Sequence, residues 1–215
     1  MLKRKLYLVN QTVFLINTIS FVLIFGSGVL YVQRVYKEKI EPSLSTWTLL
    51  SLISLLMLVS YGSSEGADEN LPILLFDFAE PVIVTLLIYQ KINGKKASKD
   101  EKIFIGVTLV LLVVWAILNY IVKSSQLLNI VLYLTVVAEI SALGPQFLTH
   151  WKYGYKDRPV PWIMSGLGYC LSIFLIPEGT LPNLTVPLLG LIYLVMSIPL
   201  LCYVTKNKIP FKKWF

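Results

Sequence analysis

Three carboxylates lie inside long apolar stretches of the chain, where an acidic side chain is costly. Asp77 and Glu80 fall in the stretch 71–89, and Glu139 falls in the stretch 126–149. A charge at the centre of a membrane helix costs at least about 2.5–3.5 kcal/mol on insertion scales. No lysine or arginine lies in the middle of these stretches to offset it. We therefore expect each acid to be protonated, to be hydrated in a cavity, or to meet a cation.

The spacing of the first two acids places them together. Asp77 and Glu80 are three residues apart, so they share one face of a helix, and Pro81 beside them removes a backbone hydrogen bond. The pattern predicts a proton-titrating or cation-binding site, and Glu139 is a third candidate. The alternative is structural, with the carboxyl groups hydrogen-bonded between helices. Other polar side chains that could line such a site are Asn17, Tyr61 and Tyr169.

The elements that hold these acids are predicted to be membrane helices. The chain has 215 residues, of which 56% are hydrophobic and only 14% charged, whereas a soluble domain carries about 25% charged residues. Continuous apolar runs without alternation favour helices over a barrel. Seven runs are each long enough, or nearly so, for a hydrocarbon core of about 30 Å. They are 7–34, 46–63, 71–89, 103–122, 126–149, 160–176 and 184–205.

The basic residues predict the orientation. Loops 1–2, 3–4 and 5–6 and the C-terminal tail carry fifteen lysines and arginines, and the opposite side carries four. The positive-inside rule then places the C-terminus in the cytoplasm and the N-terminus outside, in a multi-pass protein of the plasma or inner membrane. Short basic runs between apolar stretches are not typical of a nucleic-acid groove, so the partners expected are the bilayer and a small solute. Self-association is left open.

An internal repeat divides the chain. Gln33 and Gln146 are 113 residues apart, while Trp47 and Trp162, like Pro72 and Pro187, are 115 apart. Three landmarks in the same order predict two related three-helix bundles, residues 1–93 and 125–215, joined by a linker helix within 94–124. A single linking helix gives both bundles the same orientation. The predicted fold is therefore an all-α membrane protein with parallel repeats in a 3+1+3 arrangement.

The motifs of the second half resemble the PQ-loop and SWEET superfamily of small transporters. Pro145-Gln146 ends the fifth apolar stretch, a basic loop follows, and Trp162 opens the sixth stretch. Gln33 and Trp47 resemble the matching motif of the first half, although Val32 stands where the motif has proline.

The resemblance implies a carrier whose two bundles rock about a central cavity, with Pro145 as a hinge. It implies sugars, amino acids or similar solutes, including vitamin precursors related to nicotinamide riboside. Sugar-carrying members use asparagine and tryptophan around the cavity. Here the third stretch offers Asp77 and Glu80 instead, which argues against a sugar.

The remaining polar and aromatic candidates are expected at the membrane surface. Trp47 and Trp162 begin their stretches, so anchoring in the interfacial aromatic belt is favoured over stacking on a substrate. His150, the single histidine, lies at the end of a stretch and is predicted to be interfacial.

Two function classes follow. The first is a secondary carrier or facilitator that moves a small polar solute. A cationic solute and coupling of transport to protons are two options within this class. The second is a seven-helix receptor or sensor that transports nothing. No nucleophile–base pair, metal-ligand cluster or phosphate loop is recognisable, so we expect neither an enzyme nor a cofactor or metal.

Overall fold

The structure is a computed structural model that describes the backbone of residues 2–37, 39–64, 71–91, 99–121, 125–153, 156–175 and 184–215. Within these ranges the chain is helical and contains no strand. The described ranges contain seven α-helices: α1 Leu2–Tyr36, α2 Leu44–Ser64, α3 Leu71–Lys91, α4 Lys99–Ile121, α5 Ser125–Lys152, α6 Pro159–Leu171 and α7 Thr185–Lys206. Each helix coincides with one of the seven predicted apolar stretches, which confirms the all-α fold class.

Two of these helices meet the length and hydropathy expected of a membrane span. They are Thr12–Tyr36 and Val186–Lys206, and Leu44–Val59 and Lys102–Leu118 are shorter apolar helices. The search covers only the described residues. Two such helices are weak evidence taken alone, because a buried core helix or an N-terminal signal sequence passes the same test.

The sixth helix is shorter than its apolar stretch. Its α-helical part ends at Leu171 and continues as a 3₁₀ helix over Ser172–Leu175. Thirteen residues of α-helix span only about 20 Å at 1.5 Å per residue, and the 3₁₀ segment extends the helical rod beyond them.

The helices pack in a regular set of pairs. Helix α3 contacts both α1 and α2, and α7 contacts both α5 and α6. Across the middle of the molecule α1 packs on α6 and α2 packs on α5, while α4 lies mainly against α5. Hydroxyl groups hold the α1–α6 contact, because Ser20 donates to the Gly168 carbonyl and the Ser27 and Ser165 hydroxyls are hydrogen-bonded, both at 2.6 Å.

Three chain segments meet at one end of the molecule. The Glu41 N–H, between α1 and α2, donates to the Lys156 carbonyl between α5 and α6, at 2.9 Å. The C-terminal tail reaches the same end, since the Val160 N–H donates to the Trp214 carbonyl. These are three of the four basic segments that the sequence assigns to a single side.

Glycines bring α6 and α7 into close contact. A Cβ added to Gly190 on α7 would lie 2.5 Å from the Cys170 backbone nitrogen and 2.7 Å from the Gly166 carbonyl oxygen, both on α6. Because these neighbours are backbone atoms, they cannot rotate away. Small residues at such positions are typical of tightly packed membrane helices.

We expect Gly190→Ala to lower the free energy of unfolding by about 1–3 kcal/mol, the usual cost of overpacking. The measurement is unfolding by sodium dodecyl sulfate in detergent micelles. Gly106→Ala is the matched control, because nothing lies within 4 Å of a Cβ added at that exposed helical position. Equal stability of the two variants would contradict the close α6–α7 packing.

Candidate functional site

The carboxylates of α3 and α5 meet two tyrosines from the second half of the chain. Asp77 on α3 is buried, and the Tyr169 hydroxyl on α6 donates to its Oδ1 at 2.5 Å. Glu139 on α5 is also buried and is paired with the Tyr193 hydroxyl on α7. We call Asp77, Glu80, Glu139, Tyr169 and Tyr193 the acidic cluster. Four helices contribute to it, so its geometry depends on how those helices pack.

Glu80 completes the cluster on the side of α1. It lies one turn beyond Asp77 and is close enough to interact with it electrostatically. A Cβ added at Gly28 on α1 would lie 2.7 Å from Glu80 Oε2, so the carboxyl group packs against that helix. Asp77 also interacts electrostatically with Glu139. Electrostatic interactions therefore connect the three acids in the order Glu80, Asp77, Glu139.

The cluster is unusual in its charge. Within the described part of the chain, no lysine or arginine forms an ion pair with Asp77, Glu80 or Glu139. Their recorded partners are each other and the two tyrosines. Like charges at short range disfavour full ionisation, and burial disfavours it further. The arrangement therefore suits protons, or a positively charged group that would replace them.

Among the described residues, no set of three or more histidine, cysteine, aspartate or glutamate side chains has the geometry of a metal site.

A second polar site surrounds Asp157, which precedes α6. Four side chains direct hydrogen bonds to its Oδ2 atom from three parts of the fold. Their distances are 2.7 Å for His150 Nε2, 3.1 Å for Gln146 Nε2, 3.2 Å for Tyr31 Oη and 3.2 Å for Trp162 Nε1. The other carboxylate oxygen accepts the Arg158 backbone N–H at 2.6 Å. We call Asp157 with its four side-chain partners the Asp157 network.

Helix α5 and the start of α2 orient the amide of the network. The Ser43 N–H, at the beginning of α2, donates to Gln146 Oε1 at 2.9 Å. This contact fixes the amide oxygen, so the NH₂ group of Gln146 must face His150 and Asp157. The second nitrogen of His150 faces α7, where Nδ1 lies 3.1 Å from the Met196 carbonyl oxygen. The network thereby joins α1, α2, α5, α6 and α7.

Stacked aromatic rings connect the two sites. Trp162, which donates to Asp157, stacks on Tyr193 with ring centroids 5.7 Å apart, and Tyr193 stacks on Tyr169 at 5.5 Å. Trp162 also lies against Tyr31 and Trp47, at 5.7 and 6.4 Å. Packed aromatic side chains therefore run without a gap from Asp157 to the acidic cluster.

Two predictions about the membrane surface were wrong. Trp47 and Trp162 are each only 3% exposed and pack on one another, so they are core residues and not interfacial anchors. His150 is buried as well, at the centre of the Asp157 network. A tryptophan at the start of a helix can face lipid only where no neighbouring helix covers that side of the helix. Here residues of α1, α5 and α7 cover the two tryptophans.

The motif residues have unequal environments. Gln146 is fully buried in the network, whereas its counterpart Gln33 is exposed. Pro145 is buried inside α5, which remains helical on both sides of it, so the hinge stays a prediction.

Half-buried Asn17 makes no contact with the acidic cluster that the structure describes. Tyr61 lies on α2, but its side chain is outside the described residues.

Sequence reasoning missed Asp157 and Tyr193. Asp157 lies among basic residues in a loop, where an acid is ordinary, and Tyr193 is one tyrosine among 12. The available signal for the network was the pair Gln146 and His150, which are four apart and share one face of α5. Two hydrogen-bonding side chains one turn apart near the end of an apolar helix indicate that a further polar partner lies nearby.

These observations define the protein broadly, as an all-helical chain with two candidate membrane spans and two buried polar sites. Searches against family models, curated proteins and solved structures give no match to this chain. The resemblance to the PQ-loop and SWEET superfamily therefore rests on the residues that suggest it.

Proposed function

We propose that this chain is a seven-helix membrane carrier for a small, positively charged polar solute, which binds at the acidic cluster in exchange for protons. The observation that carries the proposal is the cluster itself: three carboxylates and two tyrosines, drawn from four helices, without a lysine or arginine partner among the described residues. A purely structural contact between helices needs one acid and one donor, and three acids are more than such a contact requires.

The outward surface supports embedding in a bilayer. Large apolar side chains cover the exposed faces of several helices, and on α4 Val110 is 62% exposed and Val113 59%. Soluble monomers rarely expose contiguous apolar surface of this extent. On α7 the exposed Leu191, Val195 and Ile198 form one stripe at helical spacing. Lipid would cover these faces without cost.

The packing supports a 3+1+3 arrangement of parallel repeats. Exchanging α1 with α5, α2 with α6 and α3 with α7 converts the pairs α1–α3, α2–α3 and α1–α6 into α5–α7, α6–α7 and α5–α2. Each converted pair is also present. The helix set 1–3 thus has the same internal contacts as the set 5–7, and α4 is left as the linker.

Contacts between equivalent residues support a twofold axis between the repeats. Trp47 and Trp162 are 115 residues apart and touch, and Glu41 and Lys156, also 115 apart, form an ion pair of 2.9 Å. Equivalent residues contact one another only near a twofold axis. That axis would run between the bundles, where alternating-access carriers place their solute path.

The test of the proposal is uptake by liposomes that contain the purified full-length protein. The panel holds labelled solutes of similar size and different charge: choline and arginine as cations, glucose as a neutral solute and lactate as an anion. We expect saturable uptake of one or more cations, accelerated when the lumen is more acidic than the outside. Uptake confined to the neutral or anionic solutes would contradict the role given to the acidic cluster.

A further inference from the structure

A hydrogen-bond constraint fixes the protonation of His150. Nδ1 lies 3.1 Å from the Met196 carbonyl oxygen, and a carbonyl oxygen can only accept, so Nδ1 carries a hydrogen. Nε2 lies 2.7 Å from Asp157 Oδ2. At that distance a hydrogen must lie between the two atoms, because an unprotonated Nε2 and a carboxylate oxygen would repel each other.

The pair therefore holds one proton more than a neutral histidine and an ionised aspartate hold together. Two arrangements satisfy the geometry: an imidazolium beside a carboxylate, or a neutral imidazole beside a carboxylic acid. In both, the net charge of the pair is zero. When the shared proton leaves, the lone pair on Nε2 faces the negative Oδ2 in a buried site. Gln146 Nε2 lies 3.0 Å from His150 Nε2 and can then donate to the ring, so the direct contact between His150 and Asp157 is lost while the amide keeps its place beside the ring.

We propose that His150 and Asp157 share a single proton that holds the two halves of the chain together at the end where Glu41, Lys156 and the C-terminal tail meet. We call this pair the latch: it is closed when the proton is bound and open when the proton has left. The latch joins the two halves of the chain directly. Tyr31 of α1 donates to the same Asp157 oxygen, and Ser43 at the start of α2 is tied to Gln146. The site is separate from the acidic cluster and does not depend on the chain being a carrier.

The surroundings of the pair determine how it responds. Tyr31 is the titratable group that faces it from α1, and Glu80 of α3 interacts electrostatically with that tyrosine. The Arg158 guanidinium, next in sequence, donates to the Asp157 backbone carbonyl at 2.9 Å. Helix α5 contributes the neutral Gln146 amide, α6 the Trp162 indole, α2 the Ser43 N–H and α7 the Met196 carbonyl. These neutral groups favour a charge-neutral pair.

Release of the proton would loosen a defined set of contacts. The Gln146 amide is held between Ser43 and Asp157, so movement of the Asp157 carboxylate frees the start of α2. The Glu41 N–H beside it depends on the carbonyl of Lys156, which is adjacent to Asp157. We therefore expect the amides of Glu41 and Ser43 to report on the latch.

Because His150 is the only histidine in the chain, its ring can be observed alone. The experiment is ¹⁵N nuclear magnetic resonance of histidine-labelled full-length protein in lipid nanodiscs between pH 5 and 9. We expect Nδ1 to keep its hydrogen throughout, and the Nε2 signal to shift as the pH rises to that of a nitrogen without the shared proton, whether the proton starts on Nε2 or on the Asp157 carboxyl group that donates to it. A neutral ring with hydrogen on Nε2 and none on Nδ1 at every pH would overturn the proposal.

Hydrogen–deuterium exchange of the same samples tests the mechanical part. We expect exchange at the Glu41 and Ser43 amides to rise at least tenfold beyond the intrinsic effect of pH when the Nε2 proton is lost. Asp157→Asn should abolish this pH dependence, because asparagine cannot hold the shared proton. Glu41→Gln, which removes the neighbouring exposed ion pair, should leave it unchanged. Titration of the ring without any change in exchange would overturn the latch while leaving the carrier proposal standing.

Discussion

Replacing Asp157 by alanine should lower the free energy of unfolding by about 3–5 kcal/mol, the cost expected when one partner of a buried ion pair is removed. The carboxylate accepts hydrogen bonds from His150, Gln146, Tyr31 and Trp162 at one oxygen, and all four donors are buried or nearly so. Each donor left without a partner costs about 1–3 kcal/mol, although these costs do not add in full. The effect should therefore exceed that of any surface substitution.

The measurement is equilibrium unfolding in detergent, with Glu41→Gln as the matched control. Glu41 forms an ion pair with Lys156 beside Asp157, but it is 63% exposed. Exposed pairs of this kind contribute about 0–1 kcal/mol. If Asp157→Ala and Glu41→Gln were equally stable, the Asp157 network would not hold the two halves of the chain together.

Replacing Asp77 by asparagine should reduce solute uptake by roughly 10- to 100-fold. The substitution keeps the shape of the side chain and a hydrogen-bond acceptor for Tyr169, but removes one of the three ionisable carboxyl groups of the acidic cluster. A hydrogen bond to a charged group is worth about 1.5–3 kcal/mol, which corresponds to a change in this range. Glu139→Gln should have a similar effect, because Glu139 is buried in the same cluster.

The initial rate of cation uptake into liposomes measures this effect. Tyr169→Phe tests the role of the hydroxyl separately, and we expect a smaller loss because the charge remains. Folding of each variant is checked by its elution from a size-exclusion column and by its melting temperature. Full uptake by a folded Asp77→Asn protein would mean that the carboxyl groups act as structural contacts between helices.

The sequence contains enough information to predict the helices and the acids that meet between them. Long apolar runs specify helix positions to within a few residues, as α2 and α3 illustrate, because hydrophobic length and helical rise are local properties. Asp77, Glu80 and Glu139 could be selected since a carboxylate in an apolar run is locally anomalous.

Side-chain burial could not be predicted for residues at helix ends. Whether Trp47 faces lipid or another helix depends on a neighbour 115 residues away, and no local pattern encodes that contact. The burial of Asp157 could not be predicted for the same reason, because its partners come from α1, α5 and α6. Spacing between Gln33 and Gln146 suggested equivalence, yet Gln33 is exposed and Gln146 is buried, because burial depends on neighbouring helices that spacing alone does not specify.

Counterflow in liposomes tests the central claim most directly. Vesicles are loaded with an excess of the unlabelled cation that gave the best uptake, and labelled cation is added outside. A carrier whose site faces each side in turn should accumulate label transiently above its equilibrium level, and Asp77→Asn should remove that overshoot. Saturable binding of the label without any overshoot, in folded protein, would contradict the carrier proposal and favour a receptor with the same fold.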